Sequence, residues 1–268
     1  MNLYALDLSK RLFVKHFRYI LSFLTFLLFL PLQNATAGTS TLHAILVADT
    51  IHDIRSVTLP DVKRWQKELK VISQHAKMVL KEKTFDGMEF NKEKIKNYIQ
   101  ELKVKPSDAV IFFFSGHGYR TYQKKTPWPF LTFEFCKPGL DVQWIISTVR
   151  GKKPRFAIVM SDCCNNFMEN GMFGNETKNV QMKLKPISAQ VSGYQQLFSK
   201  AKGCIAISSS KQGQFSYGSH LGGLYTQCFF ISLNREIKEK KPSWKRLLER
   251  ANGFINHIQS PVCEVYTE

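Results

Sequence analysis

The chain has 268 residues, 44% of them hydrophobic, and a formal net charge of +17. That apolar content excludes a disordered or fibrous chain, and the length fits one sizeable α/β core behind a leader. Six cysteines without C-x-x-C spacing exclude a disulfide scaffold and an ordinary zinc pattern, while the basic balance favours anionic partners without specifying the charge of any pocket.

Residues 1–37 read as a targeting leader. Lys10, Arg11, Lys15 and Arg18 precede an apolar stretch at 19–30, Pro31 breaks it, and Ala35-Thr36-Ala37 supplies a small-residue cleavage pattern. The stretch is shorter than the roughly 20 apolar residues of a spanning helix. The expectation is a cleaved signal peptide and an exported body, periplasmic or secreted, at 38–268. An uncleaved membrane anchor is the rival.

In the body, 42–48 reads as a first strand, with His43 a structural residue and Asp49 and Asp53 in the loop behind it. Asp61 can cap a helix on which Val62, Trp65, Leu69 and Ile72 recur at helical spacing. A second strand at 78–85 and a helix from Asn91, with Ile95, Tyr98, Ile99 and Leu102 on one face, lead to VIFFFSGHG at 110–118. After it comes a loop carrying Tyr119, Arg120, Tyr122, Lys124, Lys125, Trp128 and Phe130. Such a mixture suits single-stranded nucleic acid, but an exported chain seldom meets it. The expectation is a solvated loop and no nucleic-acid partner. Asp141 can cap the next helix, and FAIVMSDCCN follows at 156–165.

The two apolar runs suit parallel strands buried on both faces. Helices between them predict an α/β fold of three layers, a mostly parallel sheet with helices on both sides. Chemistry collects at the carboxyl ends of such strands, and these ends carry His117 and Cys164. An imidazole can activate a thiol as nucleophile. The N–H of Gly118, open to close approach, and that of Cys164 can form an oxyanion hole.

The FSGHG at 114–118 and SDCCN at 161–165 resemble the caspase-domain cysteine peptidases of the C14 family, and within them the metacaspase-like branch. Downstream support comes from a strand at 204–208 with Ser209-Ser210, Gly222-Gly223-Leu224-Tyr225-Thr226 opening a helix, and Gln259-Ser260-Pro261. The resemblance implies a cysteine endopeptidase acting on polypeptides, with His117 as base and acid. Its D-x-C register selects Cys164 over Cys163. It places Asp61, Ser115 and Asp162 in an acidic S1 pocket, which would prefer Arg or Lys before the scissile bond. It also implies an activation linker at 165–202, with Lys178, Lys183 and Lys185 as sites of autoprocessing. No cofactor or metal is needed. Metacaspases often use calcium, but Glu134, Asp141 and Glu169 are scattered, so calcium independence is expected.

Two departures stand out. Asn165-Asn166-Phe167 replaces the family's His-Ser-Gly, and 214–218 differs where the family has Ala and an acid. They motivate the alternative of a catalytically inactive caspase-like binding module. The basic face, or a retained leader, would favour contact with a membrane surface.

Overall fold

The computed structural model describes residues 39–135, 137–167 and 191–267. The proposed leader at 1–37 and the processing lysines at 178, 183 and 185 lie outside these residues. Among the described residues, no helix is long and apolar enough to cross a membrane.

A six-stranded sheet runs through the molecule. Its strands are β1 (Thr41–Ala48), β2 (Val79–Phe85), β3 (Ala109–Ser115), β7 (Phe156–Asp162), β8 (Gly203–Ser208) and β11 (Val262–Tyr266), in the spatial order β11-β8-β7-β3-β1-β2. All pairs are parallel except β11 with β8. β11 is a strand that periodicity missed, because its residues are only partly buried at the sheet edge. Small antiparallel strands complete the element set: β4 (Gly118–Tyr119), β5 (Phe130–Leu131) and β6 (Leu140–Asp141) form one sheet, β9 (Gly218–Ser219) and β10 (Gly222–Gly223) another.

The pleat sorts each central strand between two cores. Leu42, Ala44 and Leu46 of β1, Ile111 and Phe113 of β3, and Ile158 and Met160 of β7 face one side. There they meet helices α1 (Arg55–Ala76), α5 (Leu224–Glu236) and α6 (Trp244–Ile255), with Trp65 packed against Phe113, Phe229 and Phe230. Ile45, Val47, Phe112, Phe114, Ala157 and Val159 face the other side, under α2 (Lys92–Glu101) and α3 (Val142–Gly151). Each fully buried Leu, Ile or Phe contributes about 1.5–3 kcal/mol. Two dry faces explain why the predicted strands read as unbroken apolar runs. The expected α/β fold, a mostly parallel sheet with helices on both faces, is the one observed.

Caps follow the sequence at three helices: Asn91, Asp141 and Ser243 each accept from a first-turn amide, Lys94, Gln143 and Arg246 respectively. Asp61 is different. Helix α1 begins at Arg55, ahead of Pro60, so Asp61 lies inside the helix and cannot cap it. The 119–130 loop also departs from expectation. Arg120 and Trp128 are fully buried, and Lys124 is bonded to Asp141 at 2.6 Å and sits 4.0 Å from the centre of the Phe130 ring. Arg120 turns inward to satisfy loop carbonyls and Lys124 pairs with a carboxylate, while Lys125 and Tyr122 stay exposed as expected of a solvated loop. Within 165–202, the described end is helical: α4 (Val191–Tyr194) continues into a wider helical turn at Gln195–Ser199, burying Tyr194, Leu197 and Phe198.

Candidate active site

β3 and β7 are adjacent and parallel, with Ser115 opposite Asp162. His117 and Cys164 each lie two residues past this pair, so the register brings both motifs to the same level. They line one solvent-open cleft, together with Asp53, Val57, Ser115, Asp162, Ser216 and Tyr217, among others.

The cysteine segment is held from several directions. Cys163 N–H donates to Ser209 Oγ (3.1 Å), Ser210 Oγ donates to Cys163 O (3.0 Å), and Asn165 N–H donates to Gln214 O (2.9 Å). The N–H of Cys164, between two committed neighbours, has no acceptor among the described residues. Gly118 stands opposite Leu131. The bond from Thr132 N–H to His117 O flanks that pair, so the Gly118 N–H is not used by β5. Gly118 is required by packing: a Cβ there would lie 2.5 Å from Cys163 Sγ and 2.6 Å from Cys164 O.

Cys164 Sγ accepts from Ser216 N–H at 3.4 Å. Burial and the charge of Asp162 push its thiol up to about 11, with the Ser216 amide offsetting part of the rise. A thiol raised this far would need a base to act as a nucleophile. Cys163 is more deeply buried, which pushes it well above the ordinary thiol range. His117 is buried, and its Nε2 lies 2.9 Å from Asp53 Oδ1.

The S1 candidates come together on two levels. Asp162 and Ser115 line the cleft, whereas Asp61 is fully buried behind them. Asp61 accepts from Ser115 Oγ (2.8 Å) and from Gly223 N–H (2.9 Å to Oδ2). Asp162 accepts from Ser216 Oγ (2.8 Å), Thr226 N–H (3.0 Å) and Thr226 Oγ1 (2.6 Å). Gly222 has φ +111°, and a Cβ at Gly222 or Gly223 would run into Asp61 or Asp162 respectively, so this glycine pair lets both carboxylates converge. Burial, then the neighbouring Asp162 charge, raises Asp61 to about 8, while its hydrogen bonds and the nearby Arg64 oppose the rise. Burial thus favours the protonated form of Asp61 over the ionised one.

The caspase-domain profile of peptidase family C14 matches residues 60–266. The chain belongs to the caspase-domain family. This is a family of cysteine peptidases. The crystal structure of protein GSU0716 from Geobacter sulfurreducens has a similar fold, with a TM-score of 0.57 over 85% of this chain and 94% of that one, at 12% identity. No curated protein matches the sequence significantly.

Two residues of this caspase domain's site, Asp53 and Arg120, carried no sequence signal for it, and Gln259 was marked only by its Gln-x-Pro motif. Asp53 was one polar residue in a loop. Arg120 sat in a basic stretch, yet its guanidinium donates to Asn165 Oδ1 (3.0 Å), Lys124 O (2.8 Å) and Thr126 O (2.9 Å). Gln259 donates to Ser209 O (2.7 Å) and accepts from Tyr217 N–H (2.9 Å), bracing the loop under Cys164. Among the described residues, no group of three or more His, Cys, Asp or Glu side chains is gathered as a metal ion would need.

Proposed function

We propose that this caspase domain is a cysteine endopeptidase of metacaspase type that cleaves after Arg or Lys. The observation that carries the reading is the meeting of His117 and Cys164 in one cleft, beside two amides with open N–H groups and above two converging carboxylates. His117 takes the Cys164 proton as sulfur attacks the substrate carbonyl, and the oxyanion rests on the N–H groups of Gly118 and Cys164. The same proton leaves with the amine as the C–N bond breaks, and water then hydrolyses the acyl-enzyme.

Asp162 at the surface of the pocket supplies the charge for a basic side chain, and Ser115 a hydroxyl. A guanidinium entering there would favour the ionised form of Asp61, whose proton is released to solvent, adding a second charge. We further infer export, from the leader's composition, self-cleavage in the lysine-rich linker, and independence from calcium.

The test uses the purified chain with a peptide library and a thiol-reactive peptide probe. Cleavage after Arg or Lys, lost in Cys164→Ala and largely kept in Cys163→Ala, is expected. A folded protein that cleaves no peptide and leaves Cys164 unlabelled would instead be a binding module, the reading favoured by the high thiol pKa and the Asn165 departure. Preference for Asp before the scissile bond would overturn the specificity.

A further inference from the structure

We infer that Asp53 is the positioning residue of the active site: it fixes which nitrogen of His117 takes the Cys164 proton and stabilises the imidazolium that results. This rests on the peptidase reading above. A carboxylate only accepts hydrogen bonds, so the 2.9 Å contact of Asp53 Oδ1 requires a hydrogen on Nε2. In the neutral ring, that leaves Nδ1 as the basic nitrogen. The same logic orients the histidine in other nucleophilic sites.

The position of Asp53 is built, not incidental. Its loop leaves the end of β1 and is tied to the histidine strand, because Asp49 N–H donates to Ser115 O at 3.0 Å. The Asp49 carboxylate holds the loop by accepting from His52 N–H (3.2 Å) and by bonding its Nδ1 (2.8 Å), while Thr58 Oγ1 donates to Asp49 O (2.5 Å). The His117 ring is set against Phe135 at 6.0 Å, with His52 on Phe135 at 5.8 Å. The titratable groups lining the cleft with His117 are Asp53 on this loop, Asp162, Cys163 and Cys164 on the neighbouring strand end, and Tyr217 on the loop before β9.

The proton balance is simple. As sulfur bonds to the carbonyl carbon, the thiol proton moves to Nδ1 and the carbonyl π pair moves to oxygen. Asp53 keeps its charge and takes no proton. When the C–N bond breaks, Nδ1 returns the proton to the amine. The Asp53 side chain is 46% exposed, so solvent screens its charge, and the effect should fall well short of that of a buried orienting carboxylate.

The experiment has two arms. In the first, Asp53→Asn should lower kcat about tenfold to a hundredfold with KM little changed, and should move the acid limb of the pH–rate profile to lower pH. Asp53→Glu should recover part of the rate. An Asp53→Asn enzyme with unchanged kcat and an unchanged acid limb would overturn the inference while leaving the peptidase reading intact. The second arm needs no activity: nitrogen-15 spectra of Cys164→Ala should show His117 with hydrogen on Nε2, and Asp53→Ala added to it should lose that preference. Hydrogen on Nδ1 instead would overturn the inference. Loss of all cleavage in the unmodified chain, with the Nε2 tautomer present, would overturn the peptidase reading and uphold the placement of Asp53.

Discussion

The floor and the rim of the cleft are built in opposite ways. On the floor, Asp61 and Asp162 are buried and their oxygens are tied to Ser115, Ser216, Gly223 and Thr226. At the rim, His117 bonds the half-exposed carboxylate of Asp53 and packs against Phe135. A buried hydrogen-bonded carboxylate ties chemistry to stability, because removing it strands its donors. An exposed one can be changed at little cost to the fold. Floor substitutions should therefore damage folding and specificity together, and rim substitutions should damage rate alone.

The sharpest contrast is Asp162→Ala against Asp53→Ala. Asp162→Ala leaves Thr226 N–H, Thr226 Oγ1 and Ser216 Oγ without their acceptor. It should cost about 3 kcal/mol of stability and lower cleavage of Arg substrates by roughly a hundredfold or more. Labelling of Cys164 by a small alkylating agent, which needs no S1 pocket, should fall far less. Asp53→Ala should unfold within about 0.5 kcal/mol of the parent. Denaturant midpoints, peptide kinetics and alkylation rates measured together check this, and equal destabilisation by the two variants would erase the distinction between floor and rim.

Next comes the brace behind Cys164. Arg120 bonds Asn165, the residue after Cys164, while Asn165 Nδ2 donates to Pro127 O at 2.7 Å and Ser210 O at 3.2 Å. Arg120→Met keeps much of the stem's bulk but leaves Asn165 Oδ1 and two loop carbonyls unpaired. A loss of about 2–3 kcal/mol is expected, with Cys164 alkylation slowed because its amide loses its fixed setting. Arg120→Lys should recover only part, since one ammonium cannot reproduce the planar fork. Thermal unfolding of the three proteins checks the order.

The strands were legible in the sequence because both faces of β1, β3 and β7 are dry, which leaves continuous apolar runs with small reactive residues at their ends. The contact between the two motifs was legible for the same reason: parallel neighbours of equal length finish level. What stayed hidden depends on long-range closure. Asp61 read as a helix cap because helical spacing starts at Val62, and only the resemblance put it in the pocket; its partners are Ser115 and Gly223, the latter 162 positions away. Arg120 looked like a solvated surface charge because no local pattern announces the carbonyls of its own loop. Asp53 follows no periodicity at all; its contact with His117 comes from the return of the chain 64 positions later.

The smallest effect separates floor from rim by pH. Unfolded, Asp61 titrates near its ordinary 3.8; folded, burial and the Asp162 charge raise it to about 8. Between these values the folded protein holds a proton that the unfolded chain has released. The stability this supplies is fully present below the unfolded value and is lost as pH rises through the folded one. From about pH 6 to about pH 7, the parent should therefore lose roughly 1 kcal/mol that Asp61→Asn does not. The asparagine oxygen can still accept from Gly223 N–H, so the fold should survive the change. Chemical denaturation of both proteins at each pH gives the slope. Parallel slopes would mean that Asp61 is ionised in the free protein, and that the floor holds two charges before any substrate arrives.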